Sequence, residues 1–276
     1  MEKLTGKTVL ITGSTEGVGR FVARRLGEAG ARVLVHGRDA ERGAQAVAEI
    51  EKAGGAATFL RADLASLADV RRLAAAVQDT TDRLQILINN AGIGTAGGVR
   101  QISVDGFELR FAVNYLAGFM LTSLLLPLLR ASAPARVVNV SSAGQQAIDF
   151  AGVMLTRGYS GARAYCQSKL AQVMFTFDLA EKLVGTDVIA TCLHPATYMD
   201  TTMVRRAGVT PVSTVDQGAD AILNLARSPS LEGRTGLYFN GLREARAHSQ
   251  AYDADARLQL WALSLKLTGL PDGPTG

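Results

Sequence analysis

Alternating apolar runs and amphipathic stretches predict an α/β fold, a single doubly wound parallel sheet of about seven strands with helices on both faces. Three observations carry this prediction. Short apolar runs, rich in β-branched residues, recur along the chain, and most lead into a helical pattern. The first, Thr8 to Ile11, opens at once into Thr12-Gly13-Ser14-Thr15-Glu16-Gly17-Val18-Gly19. The fourth, Leu84 to Ile88, is almost wholly apolar, as suits a strand buried on both faces. A chain of 276 residues, 47% hydrophobic, can bury one large core, so one domain over 1–276 is expected.

After the glycine-rich turn, Phe21, Val22, Leu26 and Ala29 mark an amphipathic helix ending at Gly30. Gly13 permits the tight turn, while Gly17 and Gly19 let backbone amides approach a pyrophosphate at the helix N-terminus. Strand, turn and helix in succession make these glycines a nucleotide-binding candidate. Arg32 to His36 reads as the second strand, and Gly37-Arg38-Asp39 opens a helix to about Ala53. This strand end is where a dinucleotide fold meets the adenosine ribose. Arg38 suits a 2′-phosphate, which favours NADP, with NAD possible. Asp39 reads as a helix N-cap, with a ribose contact as its other role. Glu16 argues against a phosphate nearby by like charge.

Ala56 to Leu60 is the third strand, ending at Asp63-Leu64, and Ser66 caps a helix to about Gln78. The fourth strand ends in Asn89-Asn90-Ala91-Gly92, small residues that let backbone approach a ligand or simply form a turn. Asp105 to Arg130 is a long helical pattern with Asn114 among apolar neighbours. A buried Asn needs partners, either backbone groups or a polar relay. Arg136 to Val140 is the fifth strand, followed by Ser141-Ser142 and a long irregular stretch to about Gly161. Its Phe150, Val153, Met154, Leu155 and Tyr159 either wall a pocket or pack the loop down.

Ala162 to Val184 is a helix, and Asp187 to Leu193 a sixth strand ending at His194-Pro195. Pro195 to Pro211 lies past a strand's carboxyl end, where open α/β sheets bind ligands, so about 195–213 is the expected substrate loop. A helix follows from Ser213 or Thr214 to about Arg227, then a short strand, Gly236 to Asn240. Leu258 to Leu267 is a closing helix with Trp261 on its apolar side, and Thr268 to Gly276 is expected to be a loose tail.

The net charge of +4 comes from basic residues that occur at most in pairs, such as Arg205-Arg206, so no nucleic-acid stripe exists. That pair is read as solvated, with an anionic substrate as the other possibility. Two cysteines, Cys166 and Cys192, suit a reducing cytoplasm, and they and the three histidines show no metal-ligand spacing. The run from Phe119 to Leu129 is too short to span a bilayer and contains Pro127, so no membrane span is expected.

Chemistry concentrates in Tyr165-Cys166-Gln167-Ser168-Lys169. Residues four apart share a helix face, so the Tyr165 hydroxyl and Lys169 ammonium can reach one space. A cation beside a phenol favours the phenolate, which fits the pair for proton transfer near neutral pH.

Together Thr12-Gly13-x-x-x-Gly17-x-Gly19, Asp63-Leu64, Asn89-Asn90-Ala91-Gly92, Asn114, Asn139-Val140-Ser141-Ser142 and Tyr165-x-x-x-Lys169 resemble the short-chain dehydrogenase/reductase family. The resemblance extends to about residue 240, and His36 to Asp39 and Tyr159 to Ala171 look most like its retinol-dehydrogenase-like branch. It implies a Rossmann-like fold and an oxidoreductase interconverting an alcohol and a carbonyl, here expected to be lipophilic. It implies Tyr165 as general acid/base, Lys169 as its support and ribose ligand, Ser142 on the reacting oxygen and Asn114 holding a relay water. Cofactor contacts are implied for Thr12 to Gly19, Asp63, Leu64, Asn90, Ala91, Gly92, Pro195, Thr197 and Tyr198. Ala196 stands where the family usually has Gly, which puts the path round the nicotinamide in doubt. A homodimer or homotetramer through the helices starting near Asp105 and Ala162 is also implied. The other readings are a silent nucleotide-binding scaffold and, last, epimerisation or dehydration on the same fold.

Overall fold

The computed structural model describes residues 3–95 and 99–271. Its strands are β1 (Thr8–Ile11), β2 (Arg32–Gly37), β3 (Ala56–Arg61), β4 (Ile86–Asn89), β5 (Ala135–Val140), β6 (Val188–His194), β7 (Leu237–Asn240) and β8 (Arg243–Glu244). They form one sheet in the order β3-β2-β1-β4-β5-β6-β7-β8. β1 pairs with β2 on one side and β4 on the other, so the chain leaves the centre in both directions. Such a reversal opens a crevice at the carboxyl ends of the strands. The first seven strands are parallel; β8, an antiparallel hairpin partner of β7, extends the expected seven to eight. At two residues, it carries no periodicity that a sequence reading can detect.

Two apolar cores sandwich the sheet. On one face lie α1 (Gly17–Glu28), α2 (Ala40–Lys52) and α7 (Val215–Arg227). On the other lie α3 (Leu67–Thr80), the helix Phe111–Ala131 (α4), α5 (Gly161–Lys182) and α8 (Ala254–Thr268). A short α6 (Thr202–Arg206) interrupts the loop after β6. Asp39 and Ser66 cap α2 and α3 through hydrogen bonds from Arg42 N and Asp69 N, as their positions predict.

Two expectations are corrected. The helix expected from Asp105 begins at Phe111, because Gly106 (φ +84°) turns the chain and Asp105 instead accepts a bond from Leu67 N at the head of α3. Once begun, α4 runs for 21 residues, so by length and composition it could cross a membrane; here it is mostly buried within the protein. The tail is not loose from Thr268: Thr268 ends α8, Gly269 caps it at φ +62° and Leu270 is buried. Residues 272–276 lie outside the described residues.

Candidate active site

The glycine-rich turn is built so that nothing larger fits. A Cβ on Gly19 would stand 2.2 Å from the Gly13 carbonyl oxygen, and one on Gly13 would stand 2.8 Å from Ala91 Cα. Asn90 locks the turn from below, donating to the Thr12 and Gly13 carbonyls, while Thr12 Oγ1 accepts from Asn90 N and Ala91 N. Thr12 and Ser14 thus face inward: Ser14 Oγ donates to Ile11 O and accepts from His36 N. His36, whose sequence position marks only a strand end and a branch resemblance, is buried and its Nδ1 accepts from Gly13 N at 3.1 Å. Burial pulls its pKa down to about 4, so the ring is neutral and able to accept.

Above this turn lies a cleft lined by Thr15, Glu16, Gly17, Val18 and Gly19, by Arg38 and Asp63-Leu64, and by Asn90, Ala91 and Gly92. Unlike α2, α3 and α5, helix α1 begins with no side-chain cap, so its first N–H groups are left for a ligand. Arg38 sits at the rim, its side chain 70% exposed and 3.8 Å from Asp63. Arg42, another residue the sequence did not single out, pairs with Glu16 at 3.0 Å, so the Glu16 charge is already matched. The donors, the glycine contacts and the free guanidinium surface fit a phosphate-bearing dinucleotide.

Gly92 joins this cleft to the Tyr165 region: a Cβ there would lie 3.3 Å from Asn114 Oδ1 and 3.5 Å from Lys169 Nζ. Asn114 belongs to a π-helical stretch, Phe111–Leu116, that opens α4. Such stretches often mark functional sites. Its amide accepts from Ile93 N at 2.7 Å and donates to Ile93 O and Ser168 Oγ. The side chain thus holds the loop after β4 through the Ile93 backbone and ties it to α5 through the Ser168 hydroxyl.

Ser160 caps α5, which carries Tyr165 and Lys169 to the end of β5. Ser141 Oγ donates to the Lys169 carbonyl at 2.7 Å and ties strand to helix. That leaves Ser142, whose hydroxyl accepts from Gly144 N and is a hydrogen-bond neighbour of the Tyr165 phenol. Burial pushes the Tyr165 phenol up and the Ser142 bond pulls it back. This direction is opposite to the lowering expected from Lys169, whose Nζ lies 5.8 Å from the Tyr165 ring centroid. Lys169 is itself buried, and burial lowers it to about 7.

Past β6, Met199, Thr201, Thr202 and Met203 line the cleft, with Ile93, Leu109 and Val113 opposite. These residues past β6 lie in the expected substrate loop, while Pro195, Thr197 and Tyr198, the cofactor contacts the resemblance implies, do not line this cleft. Thr197 Oγ1 bonds His194 Nε2 at 3.1 Å, and Tyr198 is close enough to raise the Tyr165 phenol further. Tyr198, not Ala196, takes the left-handed backbone (φ +43°), so this path does not require the missing glycine. In the loop before α5, Val153 and Leu155 are buried, while Phe150, Met154 and Tyr159 are half-buried. Tyr159 donates to Glu108 and accepts from Arg110, away from any lysine. Arg205 pairs with Asp200 in solvent, matching the solvated reading.

A cleft built for a phosphate-bearing dinucleotide, meeting a half-buried phenol and a buried hydroxyl and amine, defines a nucleotide-dependent oxidoreductase. The sequence model for short chain dehydrogenases matches residues 7–210. The chain is 36% identical over 287 residues to human retinol dehydrogenase 13, covering 97% of this chain and 86% of that protein. It is 35% identical over 282 residues to human retinol dehydrogenase 11, covering 98% and 88%. The NADP complex of Pseudomonas aeruginosa RhlG superposes with a TM-score of 0.71 at 32% identity, covering 86% of this chain and 95% of that one. A ketoreductase structure, LanV with NADP and rabelomycin, gives 0.69 at 29% identity, covering 87% and 96%. The chain belongs to the short-chain dehydrogenase/reductase family, and it is an NAD(P)-dependent oxidoreductase acting on alcohols or carbonyls.

Proposed function

We propose that the enzyme interconverts bulky apolar aldehydes or ketones and their alcohols, prefers NADP, and uses Tyr165 as general acid/base. The observation that carries this is the meeting of Tyr165, Ser142 and Lys169 beside Gly92, where the dinucleotide cleft ends. The nicotinamide, when bound, supplies or accepts the hydride. Ser142 offers a hydroxyl to the carbonyl oxygen. Tyr165, kept protonated by burial, donates its proton to that oxygen as the alcohol forms. The resulting phenolate is stabilised by the Lys169 ammonium a turn along the helix. In oxidation the Tyr165 phenolate takes the alcohol proton and becomes the phenol again.

The free surface of Arg38 supports NADP, as do the NADP complexes of similar structures. The apolar lining of Leu109, Val113, Met199 and Met203, with the retinol dehydrogenase relatives, supports a lipophilic substrate. Two unpaired cysteines suit a reducing compartment, and the burial of α4 supports a core helix rather than a span. Screening NADPH consumption against carbonyls of increasing apolar bulk tests the reading. Turnover should favour retinal-sized aldehydes, with NADPH at least about tenfold better than NADH in kcat/KM, the worth of one charge-assisted contact. Tight NADPH binding with no consumption across the series would contradict it.

A further inference from the structure

Two of the three Lys169 ammonium protons are already committed. One goes to the Val140 carbonyl and one to Gln172 Oε1, each at 2.9 Å. The third is left for the Gly92 side, where the dinucleotide cleft ends. The Val140 acceptor is main chain, which any residue would supply. Gln172 is a side chain, only 3% exposed, three residues on along the same helix face. An ammonium can only donate, so the Gln172 amide must turn its oxygen toward Lys169. Gln172 also lines a small space together with Asn89, Asn114 and Gly118. Asn89 Oδ1, on the same lining, is buried and has no hydrogen-bond partner among the described residues. The Lys169 ammonium alone therefore sets the orientation of the amide.

We infer that Gln172 is a positioning residue: it aims the Lys169 ammonium at the cleft and sets the pH at which Lys169 carries its charge. The inference rests on the proposal that Lys169 supports Tyr165. The titratable groups facing Lys169 among the described residues are Tyr165 on the same helix and His194 on β6. His194 is lowered by burial and then by Lys169, so it adds no positive charge. The π-helical stretch and the loop after β4 bring only Asn114 and Gly92. Burial has already brought Lys169 to about 7, so losing or strengthening one acceptor changes its charge state near neutrality.

The test uses the full chain with 15N-labelled lysine, the Lys169 signal being assigned by its absence in Lys169→Met. Gln172→Met keeps the volume and removes the acceptor. Gln172→Glu keeps the oxygen and adds charge. Without cofactor, the Lys169 titration should fall by about one pH unit in Gln172→Met and rise by a similar amount in Gln172→Glu. The alkaline limb of kcat/KM for carbonyl reduction should move the same way in each, as a property of the coupled Tyr165–Lys169 pair. A packing residue would lower rate or stability without moving titrations in opposite directions. Unmoved titrations, or shifts of one sign in both variants, would overturn the role of Gln172. Lys169→Met retaining turnover would instead overturn the role of Lys169.

Discussion

His36 makes the cofactor turn sensitive to acid. Its folded pKa, about 4, is below the ordinary histidine value, so in the interval between them the unfolded chain binds the extra proton. The stability it contributes is present above about pH 6.5 and is lost as pH falls toward 4. Protonation would also cost Gly13 N its acceptor. Urea midpoints should therefore fall across that interval in the native chain and fall less in His36→Gln. At the cleft rim, Arg38→Asp should weaken NADPH by about tenfold or more and NADH little, read by fluorescence titration. Equal losses would remove Arg38 from the phosphate. Arg38, Ser142, Tyr165 and Lys169 were legible because each sits at a strand end or a helical spacing. His36, Arg42 and Gln172 were not. Their duties are contacts with residues distant in sequence or with a neighbour whose need for an acceptor only burial creates.

Elements were legible where one periodicity ran unbroken. The first strand, its turn and α1 emerged together because glycine chemistry, apolar alternation and helical spacing agree there. Gly19→Ala should test that agreement. Its Cβ would meet the Gly13 carbonyl at 2.2 Å, so turn and helix must part, and NADPH affinity should fall at least about tenfold, more than stability. An unchanged affinity would show that the close approach is incidental. The start of α4 was misread because Asp105-Gly106 resembles a helix opening, while Asp105 serves as cap to a different helix, α3. The π-helical turn round Asn114 was invisible, since an extra residue in one turn barely disturbs apolar spacing. The loop after β6 was placed correctly, yet which of its residues face the cleft depends on the short α6, too brief to show a period.

Across the whole molecule, the C-terminal segment settles onto the face that would form the expected dimer seam. Trp261 packs edge-on against Phe119 of α4 and lies 6.1 Å from Phe175 of α5. Tyr115 bonds Ser264 at 2.6 Å, and buried Arg257 grips Asp178 of α5 at 2.8 Å. The apolar excess of α4 and α5 is thus partly answered inside one chain. Trp261→Ala should cost roughly 3 kcal/mol in urea unfolding, near the low end for a partly exposed indole. A negligible cost would mean that α8 rests there without holding. This docking joins residues from 79 to 149 positions apart, which no local pattern encodes. Carbonyl reduction turns on proton transfer by Tyr165, and Tyr165→Phe reads it most directly when kcat and NADPH affinity are measured side by side. Carbonyl reduction should fall by about a hundredfold or more while NADPH binds within about twofold of the native affinity. A phenylalanine variant that still turns over at near-native rate would contradict the account.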